Sequence, residues 1–376
     1  MNQEKFGLMV GHSSDTGRVR EINEDSYLVL TPPSTSPEIN GLLLVADGVG
    51  GANAGEVASG ILVESFWQWF ANNNYVEFVH YTPSHEDYFI AVLKDLLEFA
   101  NEHLHNLAST DSRLSDMGTT GTVGILTRGR LYIGHVGDTR AYLLNQGTLH
   151  RLTTDHSWVN DEVAAGRMSS EQARDHPKRH IVSRVLGAST LLRVDRQAFP
   201  IQNDDMLIYT SDGLTGLVSD PEIKKIALSN RHPQQACNQL IELANQRGGH
   251  DNITVLIARI KSNQNGSNLA TGAVVNSHYL GKMAAQVQST AKNGQLAKSD
   301  QQDNRRGTHT KLSLMALVAI LVGVLGGLAV LAISIATVST GSVLLAPYLA
   351  AGFLISMSLG LGYLWGLTRG QRGNTR

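Results

Sequence analysis

From Leu312 to Thr368 the chain carries no charged side chain, a run of 57 positions. A helix that crosses a bilayer needs about 20 apolar residues. The run therefore has room for two, predicted over Leu312–Val338 and Leu344–Leu367, with Ser339-Thr-Gly-Ser342 as the turn. The competing reading is a hairpin buried in a soluble core, but such helices normally keep a polar side toward water and this run has none. Arg305, Arg306 and Lys311 precede it, Arg369, Arg372 and Arg376 follow it, and the turn has no positive charge. Positive flanks stay on the cytoplasmic side. The expectation is a transmembrane helical hairpin over 311–368 in the cytoplasmic (inner) membrane, with the basic tail 369–376 and the rest of the chain in the cytoplasm. Gly323, Gly326 and Gly327 would let the two helices approach closely.

The rest of the chain has a different character. Between 262 and 310 the sequence shifts to Asn, Gln, Ser, Gly and Ala with few large apolar residues, which reads as a flexible polar linker. Residues 1–261 form the expected folded domain. Leu42–Ala46 and Met206–Thr210 are short apolar runs that read as buried strands, and Ala141–Leu144 and Ile253–Ile260 add two more. Thr122–Thr127 and Leu131–Val136, joined through Arg128-Gly-Arg130, read as a hairpin. Two stretches, about 54–72 and 86–108, repeat apolar residues at helical spacing, as in Ile90, Leu93, Leu97 and Leu104. Strands in runs and helices in pairs predict an α+β class, with packed antiparallel sheets under helical outer layers.

Charge and cysteine content narrow the function. A net charge of -2 lacks the clustered basic excess of nucleic-acid binders, so no nucleic acid partner is expected. The single cysteine, Cys237, excludes an intramolecular disulfide and a cysteine-based zinc site. It lies within an amphipathic stretch, 233–245, and reads as a small core hydrophobe. Met1–Gly7 contains no apolar run, so no signal peptide is expected.

Chemistry is suggested by aspartates placed at strand ends beside glycine. They are Asp47-Gly-Val-Gly-Gly51, Gly137-Asp-Thr-Arg140, Ser211-Asp-Gly-Leu214 and Gly249-His-Asp-Asn252, with Glu24-Asp25 nearer the amino end. Hard divalent cations such as Mg²⁺ and Mn²⁺ prefer oxygen ligands, typically a few carboxylates plus water. Adjacent glycine permits a tight turn and close approach of backbone carbonyls. A single Asp-Gly pair is an ordinary turn signal; four acidic turns closing strands are harder to dismiss, although spacing alone does not show that they converge. A nucleotide loop at Gly48–Gly55 is disfavoured, because Asn53 stands where the last glycine of G-x-G-x-x-G belongs and no Gly-Lys-Ser/Thr follows.

Seven segments in order carry a resemblance: Ser14–Asp25, Val45–Gly51, Gly118–Thr120, Val136–Tyr142, Thr154–Ser157, Ser211–Leu214 and Asp251–Thr254. Together they resemble the motif series of the bacterial type 2C (PPM) serine/threonine phosphatases, over about residues 6–260. The resemblance implies a four-layer αββα sandwich with a metal centre at one end. It implies two or three Mn²⁺ or Mg²⁺ ions. Asp47 would bridge two of them, the Gly48 carbonyl would bind one, and Asp212 and Asp251 the other. Asp138 would join Asp212 at a third, and Glu24 and Asp25 would act mainly through water. Arg20 matches the family's phosphate-binding arginine, so the implied catalytic set is Arg20, Asp47, Asp212 and Asp251.

The implied reaction is hydrolysis of phosphoserine and phosphothreonine in proteins by a hydroxide between two metals, without a covalent intermediate. Val49 stands where animal members carry a proton-donating histidine, so the acid for the leaving group has no assigned residue; His156 and His250 read as structural. Residues 157–189, with His176-Pro-Lys-Arg-His180, resemble the family's flap, either a cationic substrate contact or a solvated loop. Expected partners are phosphorylated proteins, including serine/threonine kinases and their substrates, and membrane lipid through the hairpin. The alternative is a catalytically silent, membrane-anchored phosphoprotein-binding module, which would be free to lose its carboxylates.

Overall fold

In the strand Ile39–Val49, side chains alternate between two separate cores. Leu42, Leu44 and Ala46 enter one, and Leu43 and Val45 enter another. Successive strand residues point to opposite faces, so a strand with no polar face must be covered on both sides. That requirement sets the architecture. The structure, a computed structural model, describes residues 6–31, 39–50, 54–71, 85–174, 176–262 and 273–277.

Two sheets result. The first runs β1 (Phe6–Asp15), β11 (Ile253–Ser262), β10 (Met206–Thr210), β7 (Arg140–Asn145), β8 (Thr148–Arg151). The second runs β12 (Ala273–Asn276), β2 (Asp25–Leu30), β3 (Ile39–Val49), β5 (Gly121–Thr127), β6 (Arg130–Val136), β9 (Asp195–Pro200), with β4 (Gly118–Thr119) paired to β3. Their pairings are antiparallel.

Tyr27, Leu43, Val45, Leu207 and Leu256 fill the space between the sheets. Helices α1 (Ala54–Ala71) and α2 (His85–Thr110) cover the second sheet, with Phe66 and Leu97 against Leu28 and Leu44. On the other side α6 (Asp220–Ser229) and α7 (Pro233–Gln246) cover the first, with Ile223, Cys237 and Leu240 against Ile208 and Val255. Each fully buried Leu or Phe contributes about 1.5–3 kcal/mol, and the layers α-β-β-α give every apolar strand face a partner.

The predicted hairpin is β5–β6, turning through Arg128 (φ 48°) and Gly129 (φ 76°). Two consecutive left-handed residues match the strand twist. Cys237 is buried in the α7 core, as expected of a small hydrophobe. The linker reading needs a correction: within 262–310, Ala273–Asn276 forms β12 and extends the second sheet beside β2. Little apolar surface is enough, because β2 offers a free edge: Val274 packs on the inter-sheet core and Ala273 on the helix-covered one, while Val275 is exposed. Among the described residues no helix is long and apolar enough to cross a membrane. The predicted hairpin 311–368 and tail 369–376 lie outside the described residues.

Candidate metal and phosphate site

Strand ends bring the acids together. Asp25 opens β2 directly opposite Asp47 of β3. Asp138 follows β6, Asp212 follows β10 and opens the short helix α5 (Asp212–Thr215), and Asp251 precedes β11. All face the same end of the sandwich, so that Asp47 feels the charge of Asp25, Asp212, Asp138 and Asp251 at once.

The surrounding residues explain why these particular neighbours accompany each acid. Thr119 Oγ1 and Thr120 N donate to the Asp47 carbonyl at 2.9 and 2.8 Å, and Asp47 N donates to Thr120 Oγ1 at 3.2 Å. The Gly118-Thr-Thr120 segment is thus a cradle for the Asp47 backbone. At Gly48 a Cβ would lie 2.1 Å from the Gly55 carbonyl oxygen, so only glycine lets α1 start against β3. Gly48 N donates to the Glu24 carbonyl, and the Glu24 carboxylate accepts from the Gly55 N–H.

Asn252 holds the amino-terminal loop in place. Its Nδ2 donates to the carbonyls of Thr16 and Ile22 at 3.0 and 2.9 Å, and its Oδ1 accepts from Glu24 N at 2.8 Å. That loop presents Arg20, whose Nη2 bonds Asp251 Oδ2 at 2.9 Å. Both side chains remain solvent-accessible, at 48% and 38% exposure, so a ligand can reach them. Ser211 Oγ donates to Asp25 Oδ2 at 2.7 Å and accepts from Thr254 N at 2.9 Å. Asp25 Oδ1 is buried and has no hydrogen-bond partner.

The electrostatics are those of a site short of positive charge. Burial, then the neighbouring aspartates, hold Asp47 well above the usual carboxylate range. Burial raises Asp25 to about 7 despite its bond from Ser211, and raises Asp138 to about 8 with help from Asp212. Asp212 is raised by burial and by Asp251, and Glu24 by burial against the pull of Arg20. No three acidic, His or Cys side chains among the described residues already close round one point as a finished metal cage. Asp251 turns to Arg20, Asp25 to Ser211, and Asp212 shares a hydrogen bond with Asp47. The donor set is nonetheless all oxygen, with one buried oxygen free, and it suits hard divalent cations.

The sequence-predicted residues Arg20, Glu24, Asp25, Asp47, Gly48, Asp138, Asp212 and Asp251 therefore gather at one place. Beside them lies a cavity of about 340 Å³ lined by Asp138, Arg140, Asp155, Asn160, Arg179 and Asp212. Its outer wall belongs to α3 (Trp158–Ala164) and α4 (Ser170–Arg174), inside the stretch predicted as a flap. Arg140 clamps Asp155 with Nη2 at 2.7 Å and Nε at 3.0 Å. His250 is exposed; His156 is buried and bonded to the Asp138 turn. The supporting roles of Asn252, Ser211 and Thr120 were not apparent from sequence, although all three fall inside the quoted motifs.

Known proteins resemble this chain in sequence and fold. The family model described as Protein phosphatase 2C matches residues 18–249. The serine/threonine phosphatase stp of Listeria welshimeri is 34% identical over 253 residues, covering 67% of this chain and 96% of that protein. Among solved structures, the Mycobacterium tuberculosis serine/threonine phosphatase PstP/Ppp aligns with a TM-score of 0.57 at 31% identity, over 68% of this chain and 99% of that one. The catalytic domain of PstP in complex with two manganese ions aligns with a TM-score of 0.56 at 30% identity, over 68% and 100%. The fold of this chain thus recurs among serine/threonine phosphatases of known structure. This chain belongs to the protein phosphatase 2C family.

Proposed function

We propose that this protein is a metal-dependent serine/threonine phosphatase acting on phosphorylated proteins, and that its site is the carboxylate cluster beside Arg20. The observation that carries the reading is the set of buried acids with raised pKa values around an oxygen that has no partner. Such a cluster is stable in its ionised form only with added positive charge. The residues present fit two or three Mn²⁺ or Mg²⁺ ions: Asp47, the Gly48 carbonyl, Asp138, Asp212 and Asp251 would hold them, with Glu24 and Asp25 in support. When bound, such ions act as Lewis acids toward phosphate oxygens and lower the pKa of a bound water.

The chain's own residues do the rest. Arg20 is held at the rim by Asp251 and is free to exchange that bond for two phosphate oxygens, which its planar guanidinium matches. Asn252 and the Thr119–Thr120 cradle keep the acids at fixed positions, so little reorganisation is needed as charge develops. Val49 cannot donate a proton to the leaving alkoxide. A silent binding module is less consistent with a chain that keeps every one of these carboxylates.

The uncharged run 312–368 and its basic flanks support a membrane tether. On this reading the phosphatase works at the cytoplasmic face of the inner membrane, where membrane-bound serine/threonine kinases and their substrates are its targets. The decisive assay is phosphate release from phosphoserine and phosphothreonine peptides by the full-length chain, with Mn²⁺ and with excess chelator. Release that survives chelation defeats the metal reading. For the tether, a reporter fused after Arg376 should prove cytoplasmic; an extracytoplasmic reporter refutes the hairpin.

A further inference from the structure

The turn that carries Asp138 is held by one histidine through two bonds. Gly137 adopts φ +107°, and a Cβ there would lie 2.4 Å from Thr120, so the turn occupies a conformation that side chains rarely adopt. Its N–H donates to His156 Nδ1 at 2.9 Å, and its carbonyl accepts from His156 N at 2.7 Å. His156 is buried, and its ring lies 4.7 Å from that of His135.

These contacts fix the tautomer. Because Gly137 N–H donates to Nδ1, the ring proton of neutral His156 sits on Nε2. Nε2 faces Asp195 Oδ2 at 3.2 Å. Arg184 Nη1 lies 2.9 Å from the same nitrogen, which then has no lone pair to offer it. Its hydrogens serve Asp195 Oδ1 at 3.0 Å and the Arg193 carbonyl at 3.2 Å instead. Asp195 opens β9, outside every motif that marked the site.

We propose that His156 is a positioning residue for Asp138, with Asp195 selecting the tautomer that accepts from Gly137. This rests on the metal reading above, because the turn matters through the cation that Asp138 would help to hold. Residues that orient metal ligands typically change metal affinity by about 10–100-fold when replaced.

The test is a Mn²⁺ titration of the full-length chain, with bound Mn²⁺ counted by electron paramagnetic resonance and peptide hydrolysis followed in parallel. His156→Leu removes the acceptor and should raise half-saturating Mn²⁺ about tenfold or more, with loss of one bound ion. His156→Asn places an amide oxygen near the former Nδ1 and should recover most of that affinity while still lacking the contact to Asp195. Equal binding by wild type and His156→Leu overturns the inference, as does equal weakening in the Leu and Asn variants. If His156→Leu does not fold, Asp195→Asn decides: weakened Mn²⁺ binding supports the inference, and unchanged binding overturns it. A wild-type chain that binds no Mn²⁺ defeats the metal reading and this inference together; a wild type that binds beside a variant that binds equally defeats this inference alone.

Discussion

Two buried aspartates at opposite ends of the sandwich are treated very differently by the same fold. Asp205, 3% exposed, precedes β10, and its carboxylate accepts from Asn145 Nδ2 at 2.6 Å and Gln202 N at 2.8 Å. Its neighbour Asp204 is paired with Lys261. Asp25, 2% exposed, has one oxygen bonded to Ser211 and the other without a hydrogen-bond partner, with Asp212 and Asp251 adding repulsion. Buried polar groups are normally satisfied. Burial therefore does not mark a functional acid; leaving it unsatisfied among like charges does.

The sharpest break of this comparison is a pair of isosteric changes. Asp47→Asn should lower phosphopeptide turnover by about a thousandfold and raise the melting temperature of the metal-free protein, since one repelling charge is gone. Asp205→Asn should do the reverse, with turnover nearly unchanged and stability reduced by about 1–3 kcal/mol through the disturbed hydrogen bonds. Calorimetry and a steady-state assay on both variants suffice. Loss of stability in Asp47→Asn without loss of activity would show that the two ends had been assigned the wrong way round.

Metal should act on one end alone. Mn²⁺ at a hundredfold excess over its dissociation constant should stabilise the wild type by about 2.7 kcal/mol, and Asp205→Asn by the same increment. Asp47→Asn should gain far less. An equal gain in all three would place the ion elsewhere.

Proton linkage gives a smaller and directional effect. Without metal, folded Asp25 and Asp138 hold protons up to about pH 7 and 8, against about 3.9 in the unfolded chain. Their contribution is fully present at low pH and is lost as pH rises through those folded values. His135 has the opposite sign. Burial lowers it to about 4, so its contribution is present above about 6.5 and is lost as pH falls toward 4. Mn²⁺ replaces the protons on the carboxylates and leaves His135 in control. Melting curves across this range should therefore show the pH of greatest stability moving upward when Mn²⁺ is added; a downward move would contradict the assignment. The smallest effect belongs to the solvent-facing pair Glu222–Arg247: Glu222→Ala should leave turnover within about twofold, as expected of an exposed ion pair.

What the sequence disclosed follows from the physics of each element. Strands with both faces buried, such as β3 and β10, stand out as apolar runs. Strand β9, Asp195–Pro200, is an edge with exposed positions and has no such run. Strand β12 hides in a polar stretch because four residues beside β2 need little apolar surface. Asp47, Asp138, Asp212 and Asp251 were legible because an Asp close to Gly at a strand end is a local pattern. Asn252 and His156 were not, because their importance lies in partners far along the chain, Glu24 for one and Asp195 for the other.

The lone cysteine carries a practical consequence. Cys237 lies on the buried face of α7 with no exposure, and burial pushes its thiol far above the range in which thiolates react. Alkylating reagents can reach it only when α7 lifts from the first sheet. Because Cys237 is the single thiol in 376 residues, its rate of alkylation is a clock for the opening of that layer at one known position, read without a tag or a mutation.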